Sequence, residues 1–182
     1  VCRAVDGGPW SDTAALVVRL ATLYPGDPAL LLVPLLRYHR LEPGEAVSVG
    51  VGVPHSYLSG MAVEVMPLGD NVVRGGLTSK HVNVAGLADV VDPTAPPVAV
   101  QRPEGPIHSY DGPTDGILVR RIVEARFAVE QTYGPHLVVG AAGYTTVRAT
   151  GQVILGPGEA LDVPVGRGSC TLAVTGEAYL VT

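Results

Sequence analysis

The chain has 182 residues, 23 of them glycine and 16 proline, with a charged fraction of only 16% beside a hydrophobic fraction of 47%. This excludes a disordered chain, which is charge-rich and apolar-poor, and argues against a helical bundle, whose helices so much Gly and Pro would break. Twelve basic against 17 acidic residues give a net charge of −5, with no basic tract to suit nucleic acid. Many short apolar runs between Gly and Pro turns predict a mainly β chain of the sandwich or barrel kind. The longest apolar run, Ala29 to Leu36, is interrupted by Pro34 and is too short to cross a bilayer. With no signal peptide visible, a cytoplasmic protein without a membrane partner is expected. Cys2 and Cys170 are too few for a disulfide framework, and neither belongs to a metal-type pair.

Residues 10–24 read as a helix, with Ser11 as its cap, Asp12 in the first turn and Pro25-Gly26 as the stop. Asp27 then caps a short helix through about Leu36, with Pro28 at its first position. From Tyr38 onward, Gly and Pro turns separate strand-length runs, first Ala46 to Val53 and Met61 to Met66. The stretch from Asp92 to Pro106 holds five prolines and reads as a linker. Beyond it, strands are expected over Gly116 to Val123, Ala125 to Gln131, Leu137 to Ala142, Thr145 to Ala149, Gln152 to Leu155, Gly158 to Val163 and Ala178 to Val181. His39, His81, His108, His136, Arg120, Arg121 and Arg126 read as structural or solvated, the histidines at 108 and 136 lying in Pro/Gly-rich loops.

An internal repeat ties the two β portions together. Leu41-Glu42-Pro43-Gly44-Glu45-Ala46-Val47-Ser48-Val49 aligns with Leu155-Gly156-Pro157-Gly158-Glu159-Ala160-Leu161-Asp162-Val163, and Val51-Gly52 then falls on Val165-Gly166. Strand, Pro-Gly turn, strand and glycine loop is how a jelly-roll hairpin reads. At the same offset His55 meets Ser169 and Glu64 meets Ala178, so only the first copy carries metal-binding chemistry at that place. Taken singly, His55 is ordinarily a hydrogen-bonded surface histidine, and Arg74 an ion-pair partner for Asp70 four residues away.

The surroundings of these residues change that reading. Val53-Pro54-His55-Ser56-Tyr57-Leu58-Ser59-Gly60 is followed by Val63-Glu64-Val65-Met66 and then by Gly69-Asp70-Asn71-Val72-Val73-Arg74-Gly75-Gly76-Leu77-Thr78-Ser79-Lys80. From Pro25 to Val84 the chain resembles the type I phosphomannose isomerases, zinc enzymes of the cupin superfamily that interconvert mannose 6-phosphate and fructose 6-phosphate. The resemblance implies cupin-like jelly-roll units behind a short N-terminal helical segment. It implies His55 as the last of four zinc ligands, Arg74 as the catalytic arginine and Asp70 as an acidic group aiding proton transfer or orientation. Tyr57, Glu64 and Lys80 match positions of the pocket for the phosphorylated hexose. The chemistry agrees: moving a proton between C1 and C2 through an enediol builds charge on adjacent oxygens, which zinc and a permanently charged guanidinium both stabilise. Gly75-Gly76 would give the backbone room beside a sugar.

The family's other three zinc ligands include a Gln-x-His pair, and no glutamine here is followed by histidine two positions on. Gly69, Val51-Gly52-Val53, Ser79 and Asn83 also depart from the family pattern, removing no presumed catalytic group, the first two altering loop stiffness near the site. The expectation is a C-terminal part of a longer isomerase, inactive alone, with one of four zinc ligands. Its parts are the end of a helical segment (1–37), the C-terminal half of the catalytic jelly roll (38–91), a linker (92–106) and a metal-free second jelly roll (107–182). The competing readings are a non-catalytic cupin that binds or senses a sugar and a purely structural β-sandwich.

Overall fold

The computed structural model describes residues 10–69, 71–112, 116–130, 136–149, 151–164 and 169–182. Of these, the residues within Val1–Arg40, Gly50–Ala62 and Leu68–Pro96 form one compact unit, and those within Leu41–Val49, Val63–Pro67 and Pro97–Thr182 form another.

In the first unit, α1 (Ser11–Leu23) starts as expected, but Trp10 stands at the cap position without a side-chain cap bond. Ser11 is already helical, so its hydroxyl is one residue too far along to cap. Asp27 does cap, its side chain accepting from the Ala29 N–H at 2.9 Å. The short helix expected through Leu36 is instead two 3-10 turns, Pro28–Leu31 and Val33–Leu35. Pro34 lacks the N–H that a continuous helix would need there. A further helix, α2 (Val84–Val90), was not expected; Asn83 caps it by accepting from the Gly86 N–H at 2.9 Å.

In the second unit, β1 is only Ala46–Val47 of the run expected to reach Val53, and Met61 to Met66 form no strand. An apolar run becomes a strand only with a ladder partner, and among the described residues the latter run has none. β1 pairs antiparallel with β2 (Val100–Gln101), so part of the Pro-rich stretch enters a sheet. The remaining strands are β3 (Ile107–Tyr110), β4 (Val119–Val123), β5 (Arg126–Glu130), β6 (His136–Arg148), β7 (Gln152–Leu155), β8 (Ala160–Val163) and β9 (Ser169–Val181). They make one seven-stranded antiparallel sheet ordered β3-β4-β9-β6-β7, with β5 on β9 and β8 on β6.

Two long central strands, β6 and β9, carry this sheet, and both bend at one line. The register shifts between Gly140 and Ala142, where β6 carries one extra residue. That bulge moves the buried side from even positions (Val138) to odd ones (Thr145, Val147), which keeps the inner face continuous through the bend. At the same level Gly143 and Gly176 have positive φ, 63° and 114°. A Cβ on either would run into the facing backbone, the Thr175 or the Ala142 carbonyl. β5, β7, β8 and the two halves of β9 then wrap a core of Ile122, Val129, Val138, Val147, Leu155, Val163, Cys170, Leu172, Val174, Ala178 and Leu180. His136, expected in a loop, is instead the buried first residue of β6, and His108, also expected in a loop, lies in β3.

The internal repeat is visible as geometry. Gly44 and Gly158 have φ of 85° and 80°. Glu45 and Glu159 donate their backbone N–H to the Glu42 and Gly156 carbonyls. Their side chains reach back to accept from the Glu42 and Gly156 N–H at 2.9 and 2.7 Å. Each turn feeds a short strand, β1 or β8. Val165 and Gly166, matched to Val51 and Gly52, lie outside the described residues.

Candidate functional site

His55, Tyr57, Arg74 and Lys80 all fall in the first unit, and the local structure around each follows from its neighbours. The loop entering His55 turns at Gly52, whose φ is 76°. A Cβ there would meet the Val90 carbonyl oxygen at 2.6 Å, and the Gly52 carbonyl accepts from the Asp92 N–H at 2.9 Å. The approach to Pro54-His55 is thereby pinned to the end of α2. His55 is exposed, with Nδ1 3.0 Å from the Val53 carbonyl oxygen and its ring edge-on to Tyr57, centroids 5.9 Å apart. A carbonyl can only accept, so Nδ1 is the donor in this contact. A backbone carbonyl fixing the far ring nitrogen is the arrangement that orients metal-ligating histidines.

Arg74 is half-buried; its carbonyl accepts from the Asn83 N–H at 2.9 Å. Among the described residues its guanidinium has no ion-pair partner. The two glycines after it do not open space for a ligand as the sequence suggested. A Cβ on Gly75 would strike Leu87 of α2, and one on Gly76 would meet Ala29 and Asp27. They are glycines because the chain packs tightly against its own unit there. Lys80 is exposed, its backbone N–H donating to the Thr78 hydroxyl at 3.1 Å.

Glu64 is exposed and belongs to the other unit. Asp70 lies outside the described residues. Among the described residues no three His, Cys, Asp or Glu side chains gather as a metal-binding group. Among the described residues His55 offers zinc at most one imidazole donor and not a complete site, since zinc takes three or four protein donors. No described helix is long and apolar enough to cross a membrane. Sequence reasoning missed Asn83 and the second bond of Asp27. The signal for the first was an Asx residue ahead of Val84-Ala85-Gly86-Leu87-Ala88, a capping pattern.

No protein-family model matches this chain. Among curated proteins it is similar to a probable mannose-6-phosphate isomerase of Dictyostelium discoideum, 46% identical over 80 residues, which is 44% of this chain and 18% of that one. It is also similar to mannose-6-phosphate isomerase of Mus musculus, 29% identical over 187 residues, covering 98% of this chain and 44% of that one. Among solved structures, the apo form of mannose 6-phosphate isomerase from Salmonella typhimurium superposes with a TM-score of 0.80 at 25% identity, over 99% of this chain and 47% of that one. A zinc-bound mannose 6-phosphate isomerase superposes equally well, at 0.80 and 25%, over 99% of this chain and 46% of that one. The chain thus spans less than half the length of these relatives. The fold is mainly β and of the cupin kind seen in those neighbours. In sequence and in fold the chain resembles the C-terminal portion of the type I phosphomannose isomerases.

Proposed function

We propose that this chain supplies the arginine-bearing part of the active site of a mannose-6-phosphate isomerase, with a phosphorylated hexose as substrate and a cytoplasmic setting. The observation that carries the reading is the presentation of His55. Its Nδ1 lies 3.0 Å from the Val53 carbonyl oxygen on an exposed ring, and a probable mannose-6-phosphate isomerase is 46% identical to this chain over 80 residues. On this reading 38–91 is the C-terminal half of the catalytic jelly roll and 107–182 a second, metal-free one beyond the linker 92–106. His55 is one of four zinc ligands, the other three lying in the part of the relatives that this chain does not match.

The chemistry a bound zinc supplies is Lewis-acid polarisation of the sugar's two adjacent oxygens. The chain's own residues do the rest. As the proton moves between C1 and C2, charge accumulates on both oxygens of the enediolate. The Arg74 guanidinium, always protonated and planar, faces that charge with two parallel N–H donors. Asp70, four residues upstream, is the group for proton transfer or for orienting its neighbours, and Tyr57, Glu64 and Lys80 hold the substrate. Lys80 brings a mobile ammonium suited to a phosphate.

The test joins this chain behind the portion of the Mus musculus enzyme that it does not match and loads the product with zinc. Isomerase turnover is expected there and not in the 182-residue chain alone. Arg74→Ala should lower kcat about 10²- to 10³-fold, the usual cost of losing a transition-state donor, with zinc content unchanged. A folded, zinc-loaded fusion without turnover would point instead to sugar binding without catalysis, and unaltered turnover in Arg74→Ala would remove that residue from the chemistry.

A further inference from the structure

We propose that Asp27 is a positioning residue for Arg74, acting through the backbone of the Arg74–Leu77 loop; this rests on the reading of Arg74 as the catalytic arginine. Capping the 3-10 turn needs one carboxylate oxygen, and Asp27 Oδ1 supplies it to the Ala29 N–H at 2.9 Å. Its other oxygen, Oδ2, accepts from the Leu77 N–H at 2.7 Å, across 50 residues of sequence. Each amide approaches its own oxygen, so the carboxylate joins the turn and the loop in a way that a neutral cap with one acceptor cannot.

The loop has the features of one held under constraint. Leu77 has φ of 53° without being glycine, a left-handed conformation that a leucine keeps only where its surroundings over-determine it. Gly76 packs against Asp27 and Ala29, and Gly75 packs against Leu87. At the other end the Arg74 carbonyl takes the Asn83 N–H, and Asn83 itself caps α2. Arg74 therefore sits between two helix caps, each fixing one side of its loop. The Asp27–Leu77 bond is the one that holds the strained residue. A guanidinium that must meet developing charge in the transition state gains most from such a fixed backbone, because a small misplacement weakens transition-state contacts more than ground-state binding.

Asp27→Asn separates the two duties. Asparagine is as good a cap as aspartate, but it has one oxygen in place of two, so the Leu77 amide loses its acceptor while the turn keeps its own. In the 182-residue chain, Asp27→Asn should leave the circular dichroism and the protection of the Ala29 amide unchanged. The Leu77 amide should exchange about tenfold faster, as expected for a lost hydrogen bond to a charged group. In the zinc-loaded fusion the same change should lower kcat about tenfold or more, with KM and zinc content held, and Asp27→Ala should do the same and also weaken the turn. If Leu77 exchange and kcat in Asp27→Asn match the unsubstituted protein, Asp27 is only a cap and the proposal falls. If the unsubstituted fusion has no turnover, the isomerase reading fails separately, and Leu77 exchange still decides whether Asp27 holds the loop.

Discussion

Thr145 is fully buried on β6, opposite Leu155 on one side and Val174 on the other, and its hydroxyl has no hydrogen-bond partner among the described residues. The strand pattern favours a β-branched residue at this inward position, but nothing nearby repays the hydroxyl for leaving water. Thr145→Val keeps the shape and removes the orphaned group. It should stabilise the chain by about 1 kcal/mol and raise Tm by about 2–4 °C, read by thermal unfolding; a lower Tm would show that the hydroxyl has a partner after all. At this scale the sequence was informative where a residue's role is local. Asp27 as a cap follows from Asp-Pro after a helix stop. Its bond to Leu77 does not, because the partner lies 50 residues away and only the folded chain brings the two together. Ser11 fails as a cap for the opposite reason, since the helix begins one residue earlier than its first good capping side chain.

Between elements, a closely knit polar group joins β4 to β9. Arg121 donates to both carboxylate oxygens of Glu177 at 2.8 and 3.2 Å, and the Tyr179 hydroxyl donates to Glu177 Oε1 at 2.6 Å. Beside them the Tyr110 hydroxyl of β3 donates to the Gly44 carbonyl at 2.5 Å. The first Pro-Gly turn is thus fastened to the sheet where the Arg121 guanidinium fills the space that a Gly44 Cβ would take. The hydrogen bonds from Arg121 hold the Glu177 carboxyl below the ordinary glutamate range, with the Tyr179 hydrogen bond adding to them and burial opposing them. Burial, reinforced by the bond to Glu177, pushes the Tyr179 phenol up. Because the folded value of Glu177 is depressed, its stabilising contribution is complete above the unfolded glutamate value and is lost as pH falls through the lower folded one. Denaturant midpoints measured downward through that window should fall less steeply in Glu177→Gln than in the unsubstituted chain; identical slopes would sink the assignment. The sequence reads Arg121 as structural, on the polar face of a strand, but period-two patterning separates faces without saying which charged residue of a neighbouring strand pairs with it. The strand list shows the same limit. β7 matches its expected bounds to the residue, whereas Leu137 to Ala142 and Thr145 to Ala149 are one strand. Gly143, between the two runs, lies at the bend of a continuous ladder.

Across the whole chain, what is legible depends on whether an element has a ladder partner among the described residues. The repeat around Pro43-Gly44 and Pro157-Gly158 was readable because a Pro-Gly turn carries its own geometry, and both copies fold alike. The block around His55 and Arg74 was readable as a motif, yet its apolar runs were misread as strands. In the seven-stranded unit the apolar side chains are covered: Ile122, Val138, Leu172, Ala178 and Leu180 are at most 1% exposed. In the other unit the buried apolar residues among those described are Ala14, Leu20, Ala29 and Val33, while Val51 and Met61 are 99% and 100% exposed. Burial and continuous ladders are what slow amide exchange, so protection should differ sharply within this one chain. By exchange mass spectrometry, the amides of β4, β6 and β9 should be the last to exchange, opening only with that unit's global unfolding. Amides from His55 to Ala62 should exchange faster by about three orders of magnitude or more, since local openings cost far less than global ones. Equal protection in the two stretches would mean that the His55 segment makes a ladder of its own, and the strand reading of these residues would then stand.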